Sequence, residues 1–113
     1  WRMSVERYIE DVDLAGDMVH SERFRPPYAQ ITPTQLRTVS QRYRVVMWNV
    51  LSRDYNRHLS PKKCLRGTLK GLRGGDIVSF HDSAKSFRNT SYVLPQLLRK
   101  AREMGLECKI LEL

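Results

Sequence analysis

Helical and strand patterns alternate along this chain, and the alternation restricts the folds that it can adopt. Helices are predicted over residues 5–18, 33–43, 61–73 and 92–104, and strands over residues 24–25, 44–50, 77–80 and 107–113. Strands that are separated by helices pair in parallel, because each helix carries the chain back across the sheet. The order therefore predicts an α/β fold.

Local capping signals place the helix starts. Ser4 precedes the first helix, and Thr32-Pro33-Thr34-Gln35 is a capping box with proline at the first helical position. Ser60 and Pro61 open the third helix in the same way. The last helix is predicted to begin near Tyr92, with Ser91 as its cap, because Pro95 fits poorly deep inside a helix.

Charge is distributed unevenly over the 113 residues, whose net charge is +8. Residues 1–22 hold two basic and six acidic side chains, whereas residues 23–113 hold eighteen basic and six acidic ones. The arginines are scattered over several elements, without a basic helix, a zinc module or an RNA-binding signature. We therefore expect no nucleic-acid partner. No apolar run approaches the roughly 20 residues that span a bilayer, so no membrane span is predicted.

Three polar residues follow three of the predicted strands. Arg25 ends the first, Asp54 follows the second, and His81 follows the third. Sites in parallel α/β folds form where strands end at their carboxyl side. The sequence therefore predicts one site that contains these three side chains.

The residue types suggest acid–base chemistry. His81 is a general acid or base, and Asp54 or Asp82 is the acidic neighbour that holds one of its tautomers. Arg25 is a fixed cation able to orient a carboxylate through two contacts. The structural alternatives are a histidine that only ends a strand and a surface arginine on a rigid loop. Trp48 is a core aromatic residue or a pocket wall.

Several motifs together resemble a known family. They are FRPPY (24–28), VMWNVLSRDY (46–55), GDIVSFHD (75–82) and LPQLLRKAREMGLECKILEL (94–113). In this order and spacing they resemble the C-terminal half of a polysaccharide deacetylase (NodB-homology) domain of carbohydrate esterase family 4. The resemblance covers residues 4–113.

The resemblance implies a partial, deformed (β/α) barrel of about four parallel strands with flanking helices. It also implies removal of acetyl groups from N-acetylated sugars, such as peptidoglycan, chitin-like polymers or lipid-linked N-acetylglucosamine. In that family one aspartate and two histidines hold a divalent metal, usually zinc, which polarises the acetamide and activates water.

Roles for individual residues follow from the resemblance. His81 resembles the general acid that protonates the leaving amine, and Asp54 resembles the aspartate that supports it. Arg25 resembles the arginine that orients the catalytic base. The expected substrate-binding residues are an aromatic or polar set that borders the sugar and acetyl groove: Tyr28, Trp48, Tyr55 and Ser79.

The sequence also departs from the family pattern. Leu51 and Tyr55 replace an aspartate and a tryptophan, Ser79 replaces a leucine associated with the acetyl pocket, and Ala29 replaces a glycine. The Thr-Phe-Asp-Asp-Gly motif and the His-x-x-x-His pair do not occur in the sequence. No metal ligand is therefore assigned to this chain, and by itself it is expected to bind no metal and to be inactive.

Two hypotheses follow. Residues 1–113 are the C-terminal portion of one deacetylase domain whose zinc ligands lie in an N-terminal portion, or they are a non-catalytic relative that serves binding or assembly. Four strands would leave open sheet edges, which predicts either a missing N-terminal half or self-association. The sequence does not distinguish between two cellular locations, a bacterial cell envelope and the cytoplasm.

Overall fold

The computed structural model describes residues 3–112 and contains four helices and four short strands in that range. The helices are α1 (Val5–Val19), α2 (Pro33–Val39), α3 (Pro61–Leu69) and α4 (Phe87–Glu103). The strands are β1 (Arg23–Phe24), β2 (Arg44–Val45), β3 (Val50–Leu51) and β4 (Val78–Ser79). A short 3-10 turn spans Pro27–Ala29. None of the helices in residues 3–112 is long and apolar enough to cross a membrane.

The first of two compact units spans residues 3–47. In it β1 and β2 pair in parallel, with Arg23 opposite Arg44. Helix α1 packs against α2, and their apolar stripes bury Val12 and Val39. Burial of such side chains contributes about 1.5–3 kcal/mol each to folding.

The second unit spans residues 48–112. Here β3 and β4 pair in parallel, with Leu51 opposite Ser79. Helix α3 packs against α4, whose apolar stripe buries residues at helical spacing. The buried apolar residues of this unit are Cys64, Val93, Leu97 and Ala101.

Three of the predicted helix starts are confirmed with their capping bonds. Ser4 Oγ accepts a hydrogen bond from the backbone of Arg7, and Ser60 Oγ accepts one from the backbone of Lys63. The Thr32 hydroxyl and the Gln35 side chain each accept a bond from the other residue's backbone, at 3.2 and 2.9 Å. These signals are local, so the sequence carries them without help from tertiary contacts.

The strand predictions are corrected in two places. The single strand predicted over 44–50 is two strands, β2 and β3, because Arg44–Val45 pairs with β1 while Val50–Leu51 pairs with β4. The strand predicted at 107–113 is wrong over residues 107–112, which have no strand pairing with other described residues. Residue 113 lies outside the described range.

Two helix boundaries also differ from prediction. Helix α2 ends at Val39 rather than near Tyr43, and the Tyr43 hydroxyl donates to Asp13 of α1 at 3.0 Å. Helix α4 begins at Phe87, five residues before the predicted start, and contains Pro95. In both cases tertiary contacts outweigh a weak local preference.

Parallel strands alternating with helices are confirmed as the character of the fold. The sheets of the described residues are two separate two-stranded pairs, β1 with β2 and β3 with β4. Each pair lies within one of the two units, and the four-stranded partial barrel that the resemblance implies stays a prediction.

Side-chain hydrogen bonds fix the entry to the β3–β4 pair. Asn49 Oδ1 accepts from the backbone of Ile77 at 2.7 Å, and its amide nitrogen donates to Asp76. Asp76 in turn accepts from the backbone of Arg73 at 2.9 Å. The two bonds that Asp76 accepts, first the one from the Arg73 backbone and then the one from Asn49, hold the pKa of Asp76 below its ordinary value. The four residues therefore set the register of β4 against β3.

We predict that Asn49→Ala lowers the free energy of unfolding by about 2 kcal/mol, because Ile77 and Asp76 both lose a partner. Urea unfolding of the 113-residue chain measures the change. Arg73→Ala is the matched control. It leaves the Arg73 backbone bond in place and removes an exposed guanidinium that makes a long ion pair with Asp76, at 3.9 Å, so its expected effect is within about 0.5 kcal/mol. Equal effects of the two substitutions would contradict this explanation of the register.

Candidate active site

Asp54 and His81 meet beyond the carboxyl ends of β3 and β4. Because the two strands run in parallel with Leu51 opposite Ser79, the residues that follow them leave the same edge of the sheet. His81 Nδ1 lies 2.7 Å from Asp54 Oδ1. The structure therefore pairs His81 with Asp54 rather than with Asp82, which is exposed.

Hydrogen-bond donors surround the Asp54 carboxylate, which is 0% exposed. Oδ2 accepts from the Thr90 hydroxyl and from the His81 backbone, each at 2.7 Å. Oδ1 accepts from the Tyr55 backbone at 3.1 Å in addition to its contact with the imidazole. Ionised carboxylates are buried only when donors replace the lost water.

The same contacts set the protonation state of Asp54. Burial by itself raises the pKa of this carboxyl group, but the hydrogen bonds from Thr90 and His81, with a smaller effect of Ser52, outweigh it and lower the pKa below its ordinary value. Near neutral pH the carboxylate only accepts hydrogen bonds. His81 Nδ1 must therefore donate, which leaves Nε2 to exchange protons with a ligand.

The position of His81 allows such an exchange. Its side chain is 42% exposed although its partner carboxylate is fully buried. The Tyr55 ring packs edge-on against the imidazole, with ring centroids 4.9 Å apart. The Lys85 ammonium lies 5.8 Å from the Tyr55 ring. The arrangement is a histidine held on one side and open on the other.

Asn89 fixes the loop that carries Asp54. Its amide nitrogen lies 3.1, 3.3 and 3.2 Å from the backbone carbonyls of Asp54, Asn56 and Leu59. At the start of the loop, the Cys64 thiol donates to the Ser52 carbonyl at 3.1 Å. Burial raises the pKa of this thiol, so it stays protonated and serves packing.

Arg25 and Tyr28 belong to the first unit. Arg25 follows β1, and its Nε donates to the Val46 carbonyl at 2.9 Å. Tyr28 is 90% exposed and has a φ of 55°, followed by Ala29 at 58°. Two consecutive residues other than glycine in the left-handed region store backbone strain, which is a common feature of binding loops.

The predicted site residues are thus distributed over both units. Asp54, His81 and Tyr55 are brought together in the second unit, which also contains half-buried Trp48 and buried Ser79. Arg25 and Tyr28 are in the first unit. The catalytic and substrate-binding roles of all these residues remain predictions.

Thr90 and Asn89 are the residues that sequence reasoning missed. The predicted helix start near Tyr92 leaves both residues outside the last helix. In fact they lie in the first turn of α4, where they reach Asp54. A helix start predicted one turn earlier than Tyr92 would include both residues in the last helix.

A zinc site does not fit the described residues alone. No group of three or more His, Cys, Asp or Glu side chains in residues 3–112 is arranged to hold a metal ion. Structural and catalytic zinc sites take about three or four protein ligands.

The fold of this chain is similar to a known crystal structure. That structure is the Bc1960 peptidoglycan N-acetylglucosamine deacetylase in complex with 4-naphthalen-1-yl-N-oxidanyl-benzamide, with a TM-score of 0.84 at 17% sequence identity. The similarity covers 94% of this chain and 53% of the deacetylase chain, so the chain spans about half of that enzyme's length. No protein-family profile and no curated protein matches the sequence. At this identity the similarity establishes the fold alone.

We predict that acid reduces stability through Asp54. Its pKa is lowered in the folded state, so the unfolded chain takes up this proton first as the pH falls. The stabilisation is complete above the ordinary value of 3.8 and is lost as the pH falls from there through the folded-state pKa. Urea unfolding measured between about pH 6 and pH 2 should show a weaker pH dependence in Asp54→Asn than in the wild type.

Asp82→Asn is the control, because it removes an exposed carboxylate one residue from His81. The wild-type pH dependence should persist in this variant. An unchanged pH dependence in Asp54→Asn would mean that the carboxylate is not held as described.

Proposed function

We propose that this chain is the acid-bearing half of a metal-dependent N-deacetylase that acts on N-acetylated sugars. The substrate class is an N-acetylglucosamine polymer such as peptidoglycan or chitin, or a lipid-linked N-acetylglucosamine. His81, Asp54 and Arg25 are its catalytic group, with Asp54 and Arg25 acting through orientation.

The His81–Asp54 pair carries this proposal. A general acid needs a proton on an atom that faces the substrate and a partner that stabilises its charged form. Asp54 meets the second need at 2.7 Å, and partial exposure of the imidazole meets the first. The fold similarity to a peptidoglycan N-acetylglucosamine deacetylase supports the choice of an amide of an amino sugar as substrate.

The proton transfer follows from the tautomer. With Nδ1–H donated to Asp54, protonated His81 carries its second proton on Nε2. Amide hydrolysis forms a bond between a water oxygen and the acetyl carbon and breaks the carbon–nitrogen bond. The departing nitrogen takes the Nε2 proton and leaves as the sugar amine, while acetate is the other product. Asp54 stabilises the imidazolium before the transfer.

The other predicted residues have supporting roles in the proposal. Arg25 orients the carboxylate that takes the proton from water, and its Nε bond to the Val46 carbonyl holds the guanidinium in one direction. Tyr28, Trp48 and Tyr55 border the sugar. Ser79 takes the position of an acetyl-pocket leucine, and its buried hydroxyl makes that pocket more polar than a leucine would.

The metal and the rest of the domain belong together in this proposal. A divalent metal, which the resemblance implies is zinc, would polarise the acetamide when bound. Its ligands come from the N-terminal portion of a single deacetylase domain, since the deacetylase of similar fold is about twice as long as this chain. Without that portion, copies of this chain are expected to associate through the open strand edges of residues 3–112.

A zinc titration by calorimetry tests the division of the domain. We expect the complete gene product to bind one zinc ion at micromolar or tighter affinity, whereas the 113-residue chain should show no stoichiometric binding. Chelation should remove the zinc ion from the complete protein and abolish its deacetylase activity. Tight binding by the 113-residue chain alone would overturn the assignment of the ligands to another segment.

We predict that His81→Ala lowers kcat of the complete protein by about 10²–10⁴-fold on N-acetylglucosamine oligomers, because the general acid is removed. Acetate release measures the rate, and zinc affinity should stay unchanged. His58→Ala is the control, an exposed histidine of the same unit.

The alternative is a non-catalytic deacetylase relative that serves as a binding or assembly domain. The replacements at Leu51, Tyr55 and Ser79 favour it, because they alter positions that the family uses around the site. A complete protein that binds N-acetylglucosamine oligomers but neither binds zinc nor releases acetate would establish this alternative.

A further inference from the structure

The first turn of α4 contacts the Asp54 loop at two separate points. Asn89 binds the loop through three carbonyls, and Thr90 binds the Asp54 carboxylate itself. The two residues are adjacent in sequence, so one helix start controls both the position of the loop and the direction of the carboxylate. Nothing in the resemblance assigns a role to either residue.

We propose that Thr90 is a positioning residue for His81, acting by locking the rotation of the Asp54 carboxylate. Its catalytic consequence rests on the function proposed above, whereas the locking itself depends only on the geometry of this unit.

Rotation of the carboxylate is the freedom that has to be removed. The terminal torsion of an aspartate is broad and roughly two-fold, so the side chain by itself does not hold one oxygen toward the imidazole. Oδ2 receives two donors at 2.7 Å, the Thr90 hydroxyl and the His81 backbone. With Oδ2 occupied, Oδ1 is the oxygen that faces His81 Nδ1.

Asn89 keeps Thr90 in place for this task. Its amide nitrogen faces three carbonyl oxygens, and a flipped amide would bring its own oxygen against all three. The Asn89 amide oxygen is buried without a hydrogen-bond partner among the described residues. The orientation is therefore set by the loop, and it ties the helix start to the backbone of Asp54.

A purely structural hydrogen bond is the competing explanation, and the chain contains a matched example. Thr68 is 0% exposed, and its hydroxyl donates to the Cys64 carbonyl at 2.8 Å within α3. Thr68→Val removes a buried hydroxyl from the second unit, and Thr90→Val removes a partly buried one. Only the second removes a donor from Asp54.

The test is NMR of the complete protein labelled with ¹⁵N-histidine, recorded at alkaline pH, with the His81 signals assigned by comparison with His81→Ala. We expect the wild type to show the Nδ1–H tautomer and a slowly exchanging Nδ1 proton. In Thr90→Val this proton should exchange at least tenfold faster and the Nε2–H tautomer should appear. Thr90→Ser should restore the wild-type signals because it restores the hydroxyl.

Thr68→Val should leave the His81 signals unchanged even where it lowers stability. Wild-type signals in Thr90→Val would overturn the proposal, as would the same loss of signal in Thr68→Val. Thr90→Ala gives the same readout if the valine variant does not fold.

Kinetics of the complete protein then separate this inference from the proposed function. Thr90→Val should lower kcat about tenfold with KM unchanged, since it weakens an acid whose whole contribution is about 10²–10⁴-fold. If the NMR result is as expected but the complete protein releases no acetate, the locking is supported and the deacetylase function fails. If acetate release depends on His81 but the NMR signals ignore Thr90, the function is supported and the locking fails.

Discussion

The buried carboxylate of Asp54 is the interaction on which the second unit of this protein depends. An ionised group removed from water costs several kcal/mol unless donors replace the water. Here the donors come from the residue that follows it, from the turn after β4 and from the first turn of α4. One charge thus ties together three segments that are distant in sequence, and the same contacts leave the far side of His81 open.

The parallel register of β3 and β4 makes this arrangement possible. At the amino ends of the strands, Asn49 and Asp76 set the alignment through side-chain hydrogen bonds. At the carboxyl ends, the same alignment brings Asp54 and His81 within 2.7 Å. Strands of only two residues have few backbone bonds with which to hold a register, so the polar side chains at both ends carry much of that task.

The proposed chemistry divides between parts that this chain holds and parts that it does not. In that proposal, His81 with its fixed tautomer and Arg25 would support proton transfer, and neither would replace the groups that activate water. The similarity to a deacetylase about twice as long fits this division. The inferred role of Thr90 is to hold Asp54, which in turn orients His81, because a general acid is effective only when the partner that orients it is itself held.

The sequence by itself determined the features whose causes are local. The capping box at Thr32 lies within four residues, and the alternation of helices and strands predicted parallel pairing. The strand ends predicted that Asp54 and His81 share one edge, but the sequence left Asp54 and Asp82 as alternative partners of His81. Tertiary structure decided the rest: the division of residues 44–50 into two strands, the start of α4 and the contact of Thr90 with Asp54. These depend on partners 22 to 36 residues away, since Arg44 bonds to Glu22 and Thr90 bonds to Asp54. The spacing of residues in a sequence does not predict contacts of this kind, because only the folded backbone brings the partners together.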